Sequence, residues 1–313
     1  MSTGAAKIIL ASWRPGTLKQ YNAYTNKFKI FCKKHCLDSS TASCYDGIEF
    51  LTELFQQGLG YSAINTARSV LSAIIGLPAQ QKFGEDPLVK RFMKGVFQVR
   101  PALPKYTEVW DVSHVLNYLD SLGTATEINL KTLTLRLVML LCILTGQRCQ
   151  TIHAMTLKGI SFGSTCRILV PSVLKQSRPG HHLKPMVFKS YDQSPRLCVV
   201  ENLRHYISMT KYIRKGEDKL FISYQKPHKA VAKSTVSRWC KEIMSEAGID
   251  IERYGPHSVR AASTSSAKKK GVPLATIMAA AGWSNAKTFK TFYDKNIEKT
   301  LDSGINYPEM ILK

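Results

Sequence analysis

Apolar residues recur every three to four positions through the first hundred residues, the period of helices that bury one face. The first such face holds Leu18, Tyr21, Phe28 and Phe31, with Thr17 as the cap. A second holds Ile48, Leu51, Leu54 and Phe55, and a third Ile64, Ala67, Leu71 and Ile74. Asp86-Pro87 predicts a cap and first turn for a fourth helix, with Leu88, Phe92 and Val96 inward. The period then breaks. Val99-Arg100-Pro101-Ala102-Leu103-Pro104 reads as a semi-extended linker, because two prolines cannot continue a helix.

Beyond the linker, Asp111 caps a predicted helix with Val115, Leu116 and Leu119 inward. Leu133 to Leu144 is apolar on every face, contains Arg136 and is too short to span a bilayer, so it reads as a buried helix. Short apolar runs predict strands at Ile160–Phe162, Arg167–Val170, Met186–Phe188 and Leu220–Ser223, with Ser177-Arg178-Pro179-Gly180 as a turn. Helices are predicted at Val199–Tyr212, Ser234–Ala247, His257–Lys270, Pro273–Ala281 and a last segment through Tyr293, with Gly271 ending the third of these. The fold class is mainly α with a small β-sheet in two lobes: a helical bundle over 1–98, a linker over 99–108 and a mixed α/β lobe over 109–313.

Charge changes the picture more than composition does. The 313 residues carry 44 Lys and Arg against 22 acids, a net +22 with a pI near 9.7. The excess is spread over both lobes, which excludes a neutral domain with a cationic tail and implies a polyanionic partner. Candidate DNA contacts are Lys19, Lys27, Lys29, Lys33, Lys34, Lys90, Arg91 and Lys94 on the bundle, and Arg178, Lys184, Arg238 and Lys268 on the second lobe. No aromatic stacking motif is found on a predicted strand, which argues against an RNA-binding module. The eight cysteines contain no Cys-x-x-Cys pair: Cys32, Cys36 and Cys44 cluster loosely with His35, and Cys142, Cys149, Cys166, Cys198 and Cys240 read as scattered. Reduced thiols in an intracellular protein, and no metal site, are expected. Ala5 to Ala11 is a short apolar patch broken by Lys7, so neither a signal peptide nor a membrane partner is expected.

The candidate chemistry lies in the last third of the chain. Gly-Pro-His257-Ser-Val-Arg260 is followed by Ala-Ala-Gly282-Trp283-Ser and Thr-Phe-Tyr293, with Thr145-Gly146-Gln147-Arg148 upstream. His257 and Arg260 lie three apart at a helix start, where free N–H groups favour an anion. Two guanidiniums suit bidentate phosphate binding, and a phenol beside such a clamp can attack phosphorus.

In this order the residues resemble the tyrosine recombinase (phage integrase) superfamily, and the resemblance covers nearly the whole chain. Closer wording is shared with the recombinases of DIRS-like retrotransposons. It lies in Ala11-Ser12-Trp13-Arg14-Pro15-Gly16-Thr17, Gly146-Gln147-Arg148, Leu174-Lys175-x-Ser177-Arg178-Pro179-Gly180 and Gly282-Trp283…Thr288-Phe289…Phe292-Tyr293. The resemblance implies a core-binding lobe that clamps DNA before a catalytic lobe. It also implies a covalent 3′-phosphotyrosyl link made by Tyr293, an Arg148 and Arg260 clamp, His257 as base, a Trp283 indole donor, and Lys175 as acid for the departing 5′-oxygen, with Lys184 as the fallback. No metal or other cofactor is needed for such strand transfer. Double-stranded DNA and a homo-tetramer are the implied partners, and the nucleus the implied location. One position departs from the pattern: Thr151 stands where most members carry an acid that supports the histidine. Rival readings are a type IB topoisomerase and a domesticated DNA-binding protein; no catalytic side chain is missing, which speaks against the second. The 20 residues after Tyr293, with Ile297, Leu301, Ile305, Tyr307 and Ile311 as apolar anchors, predict a tail that docks on a neighbouring protomer, with packing back on its own lobe as the alternative.

Overall fold

The computed structural model describes residues 2–75 and 82–298. It divides into two units, Met1–Pro104 and Lys105–Lys313.

The first unit is helical. Helix α1 (Thr3–Ala11) is followed by α2 (Pro15–Lys34), α3 (Cys44–Gln56), α4 (Tyr61–Ile74) and α5 (Pro87–Val99). The apolar period does not predict α1: it buries no residue, and Ile8, Ile9 and Leu10 are exposed. Helix α2 begins at Pro15 with Arg14 as its cap, ahead of the predicted Thr17, because proline is already suited to the first helical position. Ser43 and Asp46 form a reciprocal capping box at α3, and Asp86 caps α5 through the amides of Leu88 and Val89. The buried face of α5 is Val89, Met93 and Val96 rather than Leu88, Phe92 and Val96, so the real stripe is rotated by one residue. Phe28, Phe31, Phe50, Leu51, Ile64, Leu71 and Phe83 complete this unit's core. Arg100 is tied back to the bundle, donating to the carbonyls of Phe55 and Leu59 and stacking on the Phe55 ring.

The second unit opens with strand β1 (Glu108–Val109) and helix α6 (Val112–Ser121), capped by Asp111. Helix α7 (Leu130–Thr145) lies at the centre, packed against α9 (Val199–Thr210), α10 (Lys233–Glu246) and α11 (Ser258–Lys269). Burial on all sides is what its apolar run requires. Arg136 is buried in it and donates to the carbonyls of Gly123 and Arg196; burial pulls its pKa down to about 10. The short helix α8 (Cys149–Ala154) then leads to β2 (Ile160–Phe162), β3 (Cys166–Ile168) and β4 (Met186–Phe188), an antiparallel sheet in that order. Leu220–Ser223 is no strand: Lys219 and Ile222 make isolated bridges to Thr156 and Ala230. Leu220, Phe221 and Ile222 are buried in succession, without the alternation of a half-buried strand.

Helices α12 (Leu274–Ala281) and α13 (Ala286–Phe292) follow in the second unit, and β5 (Asn296–Ile297) pairs in parallel with β1. Ile297 therefore packs within its own unit, where the sequence pattern predicts an intermolecular anchor. Leu301, Ile305, Tyr307 and Ile311 lie outside the described residues.

Helix α7 stops at Gly146, which is left-handed at φ +59°; a Cβ there would stand 3.1 Å from the Thr264 methyl. Gly146→Ala is expected to destabilise the second unit by about 1–2 kcal/mol from backbone strain alone, seen as a lower midpoint in denaturant. In the first unit, Met93→Ala is expected to cost about 2–5 kcal/mol and Leu88→Ala less than about 1 kcal/mol. Equal losses at both positions would return α5 to the face predicted from sequence.

Candidate active site

Two helices end on left-handed glycines that face one guanidinium. Gly146 closes α7 and Gly282, at φ +70°, closes α12. Arg260, on the first turn of α11 and 2% exposed, donates from Nη1 to the Gly146 carbonyl and from Nη2 to the Ala281 carbonyl, each at 2.7 Å. Unpaired carbonyls at a helix C-terminus carry partial negative charge, so two such ends offset the buried cation. Among the described residues neither Arg260 nor Arg148 makes a salt bridge. Burial, and then the nearby Arg148 charge, pull the Arg260 pKa down to about 9, which leaves it charged at neutral pH.

The same guanidinium covers two aromatic rings. Its carbon lies 4.3 Å from the Trp283 ring centre and 5.3 Å from that of Tyr293, and the two rings are 4.6 Å apart. Arg260 Nε and Trp283 Nε1 are both buried donors without a partner among the described residues. Buried donors of this kind can take an incoming acceptor. Tyr293 sits at the end of α13, and its backbone is fixed to α11: Ser265 Oγ donates to the Tyr293 carbonyl at 2.6 Å and accepts from the Lys295 amide at 3.1 Å.

Arg148 stands at the start of α8 and donates to Gln176 Oε1 at 3.3 Å. That contact reaches the β3–β4 connection, where Leu174 is buried and Lys175 is exposed. Leu174 and Ser177 close the bend through Leu174 N–H to Ser177 Oγ at 2.9 Å, and Arg178 bridges His181 across Pro179-Gly180. Buried Gln147 joins the parts. Its amide nitrogen donates to the Ala280 carbonyl, and its oxygen accepts from Thr151 Oγ1 at 3.0 Å and Gln176 Nε2 at 3.2 Å. A Cβ on Gly282 would lie 3.3 Å from the Gln176 side chain, so this approach needs glycine.

The structure thus brings Arg148, Arg260, Trp283 and Tyr293 together, with Lys175 one residue from the amide that Arg148 holds. His257 is exposed immediately before α11. Its neighbour Ser258 is buried and accepts from the Trp110 indole at 2.9 Å, which fixes the start of that helix. Thr151 turns to Gln147, so hydroxyl-to-amide bonding occupies the position where an acid was expected. Of the candidate DNA contacts, Lys19, Lys27, Lys29, Lys33, Lys34, Lys90, Arg91, Lys94, Arg178, Lys184 and Arg238 are exposed. Lys34 is paired with Glu53 and the exposed Lys268 with Asp294, the latter at 2.6 Å.

Gln147, Gln176, Ser265 and Trp110 are the residues missed from sequence; Gln147 lay inside a quoted motif and Gln176 at the unassigned position of another. The cysteine reading also needs correction. Cys142 on α7, Cys149 on α8 and Cys240 on α10 are not scattered: their sulfurs all lie within 4.8 Å of one another.

Several solved structures share this fold. One is the XerH site-specific recombinase bound to difH substrate in a pre-cleavage complex, with a TM-score of 0.59 and 14% identity over 87% of this chain and 75% of that one. Another is a lambda integrase (75-356) dimer bound to a COC' core site, with a TM-score of 0.55 and 17% identity over 97% and 98%. A third is the Tn1549 transposon integrase in complex with circular intermediate DNA, with a TM-score of 0.53 and 12% identity over 88% and 85%. Identities this low show the fold, a mainly helical architecture with small sheets. Comparison with curated proteins returns no match. The model of the phage integrase family matches residues 115–299, a span that holds Arg148, Lys175, His257, Arg260, Trp283 and Tyr293. The chain belongs to the phage integrase family.

Proposed function

We propose that this protein is a site-specific DNA recombinase that cuts and rejoins strands through a 3′-phosphotyrosyl intermediate on Tyr293. The observation that carries the reading is the carboxylate-free Arg260 guanidinium over the Tyr293 and Trp283 rings, beside donors that have no partner. A phosphodiester supplies the missing acceptors and the missing negative charge together.

In the reaction, the Tyr293 oxygen bonds to phosphorus and the bond from phosphorus to the 5′-oxygen breaks. The phenol proton goes to His257 and the departing 5′-oxygen takes a proton from Lys175. Arg148, Arg260 and the Trp283 N–H hold the non-bridging oxygens as charge builds on them. Attack by another 5′-hydroxyl on the phosphotyrosine reverses the link and completes exchange. The exposed bases of α2 and α5 fit the first unit to a backbone-gripping role, with Arg178, Lys184 and Arg238 serving the second. The shared DIRS-like wording supports origin in a mobile element of that kind, with action in the nucleus as a tetramer. Similar solved structures are recombinases on DNA, including a lambda integrase tetramer bound to a Holliday junction, and these support the partner and the assembly. Joining of two duplexes, followed by light scattering, separates this reading from a topoisomerase acting as a monomer.

On a nicked suicide substrate the wild-type chain is expected to give a protease-sensitive DNA adduct in denaturing electrophoresis. Tyr293→Phe should abolish the adduct while DNA affinity stays nearly unchanged, because only the oxygen is lost; a persistent adduct would remove Tyr293 from the role.

Lys175→Ala should slow cleavage by about 10²–10⁴-fold, the range for a positioned acid. A 5′-bridging phosphorothioate leaves without protonation and should restore its rate. Restoration of Lys184→Ala instead would move the acid to Lys184.

A further inference from the structure

Three helices converge on a thiol cluster beside the site. Cys142 and Cys240 are 1% and 0% exposed, whereas Cys149 is half-buried. The Cys142 and Cys240 sulfurs are 3.8 Å apart, and so are those of Cys149 and Cys240. Three bonds of about 2.3 Å at the tetrahedral angle place sulfurs about 3.8 Å apart, so two edges of a thiolate–metal pyramid already have their length. The third edge, within 4.8 Å, closes with a small movement of the residue that is least buried. Disulfide formation would need a contraction to about 2.05 Å, a far larger shift.

We propose that Cys142, Cys149 and Cys240 form a binding site for a soft closed-shell cation, zinc(II) in the first instance. The sequence spacing hides it, because the ligands come from α7, α8 and α10. The half-buried Cys149 gives the ion its entry. Each metal–sulfur bond releases any remaining thiol proton to solvent. A fourth position is left for water or another donor. Such an ion would cross-link the three helices one residue from Arg148. The site is independent of the recombinase reading, and its test does not involve DNA.

The full chain, reduced and freed of metal, is titrated with cobalt(II). A tetrahedral cobalt–thiolate spectrum whose charge-transfer intensity corresponds to three sulfurs is expected, and zinc(II) should displace it at one equivalent per chain. Cys149→Ala, which spares the fully buried core, should abolish the charge-transfer band and reduce bound zinc, read by mass spectrometry, from one equivalent to none. Cys166→Ala, a buried thiol outside the cluster, should keep both. Circular dichroism checks that each variant is folded. Substoichiometric zinc and no cobalt band in the wild type would overturn the proposal. So would an unchanged spectrum in Cys149→Ala, or peptide mapping that finds a Cys149–Cys240 disulfide where bound metal is expected.

Discussion

The site depends on a single buried cation held by two helix ends. Arg260 would be costly to bury without compensation, yet no carboxylate pairs with it among the described residues. Its counter-charge is the backbone. The α7 and α12 termini stop on left-handed glycines and turn their free carbonyls toward it. This arrangement satisfies the carbonyls and neutralises part of the charge, and it leaves Nε unpaired. A carboxylate in the same place would have consumed the donors that an incoming anion needs. The two arginines therefore carry different burdens. Arg260 joins helix ends as well as facing the site, so its loss disturbs packing, whereas the Arg148 side chain donates to the Gln176 amide and bridges no helix ends among the described residues, so its loss reports on chemistry more cleanly.

Gln147 spreads the same order outward. One side-chain amide touches α8 through Thr151, the β3–β4 connection through Gln176 and the end of α12 through Ala280. An amide can do this because it carries donors and acceptors on one planar group, which an acid cannot. The threonine at position 151 belongs to that design: a carboxylate there would oppose the Gln147 oxygen, whereas a hydroxyl donates to it.

Much of the architecture was legible because burial writes itself into periodicity. The α7 run is apolar on all faces and is buried from Leu133 to Ile143, with Leu144 exposed at its end; the β2 and β4 residues and the Asp86 and Asp111 caps also stand where pattern places them. The errors have physical causes. In α5 adjacent apolar residues Leu88 and Val89 make the stripe ambiguous by one position, and only packing decides it. Helix α1 has no core to bury, so periodicity carries no signal for it. The order of Arg148, His257, Arg260, Trp283 and Tyr293 could be read because these side chains have distinctive chemistry. Gln147, Gln176 and Ser265 are ordinary polar residues whose meaning arises only when distant segments meet. The thiol cluster is hidden for the same reason.

Long-range and short-range electrostatics have separate tasks in this molecule. The net +22 draws a polyanion toward the surface, but exposed charges are screened within about 8–10 Å at physiological salt and cannot select one phosphate. Some of that charge is spent internally, as Lys268 on Asp294 and Lys131 on Glu242 show. Under the proposed function, selection of one phosphate requires donors that are buried and fixed in direction, where screening is weak. Ser265 fixes the Tyr293 backbone to α11, the helix that also carries Arg260, so phenol and guanidinium are held by one element.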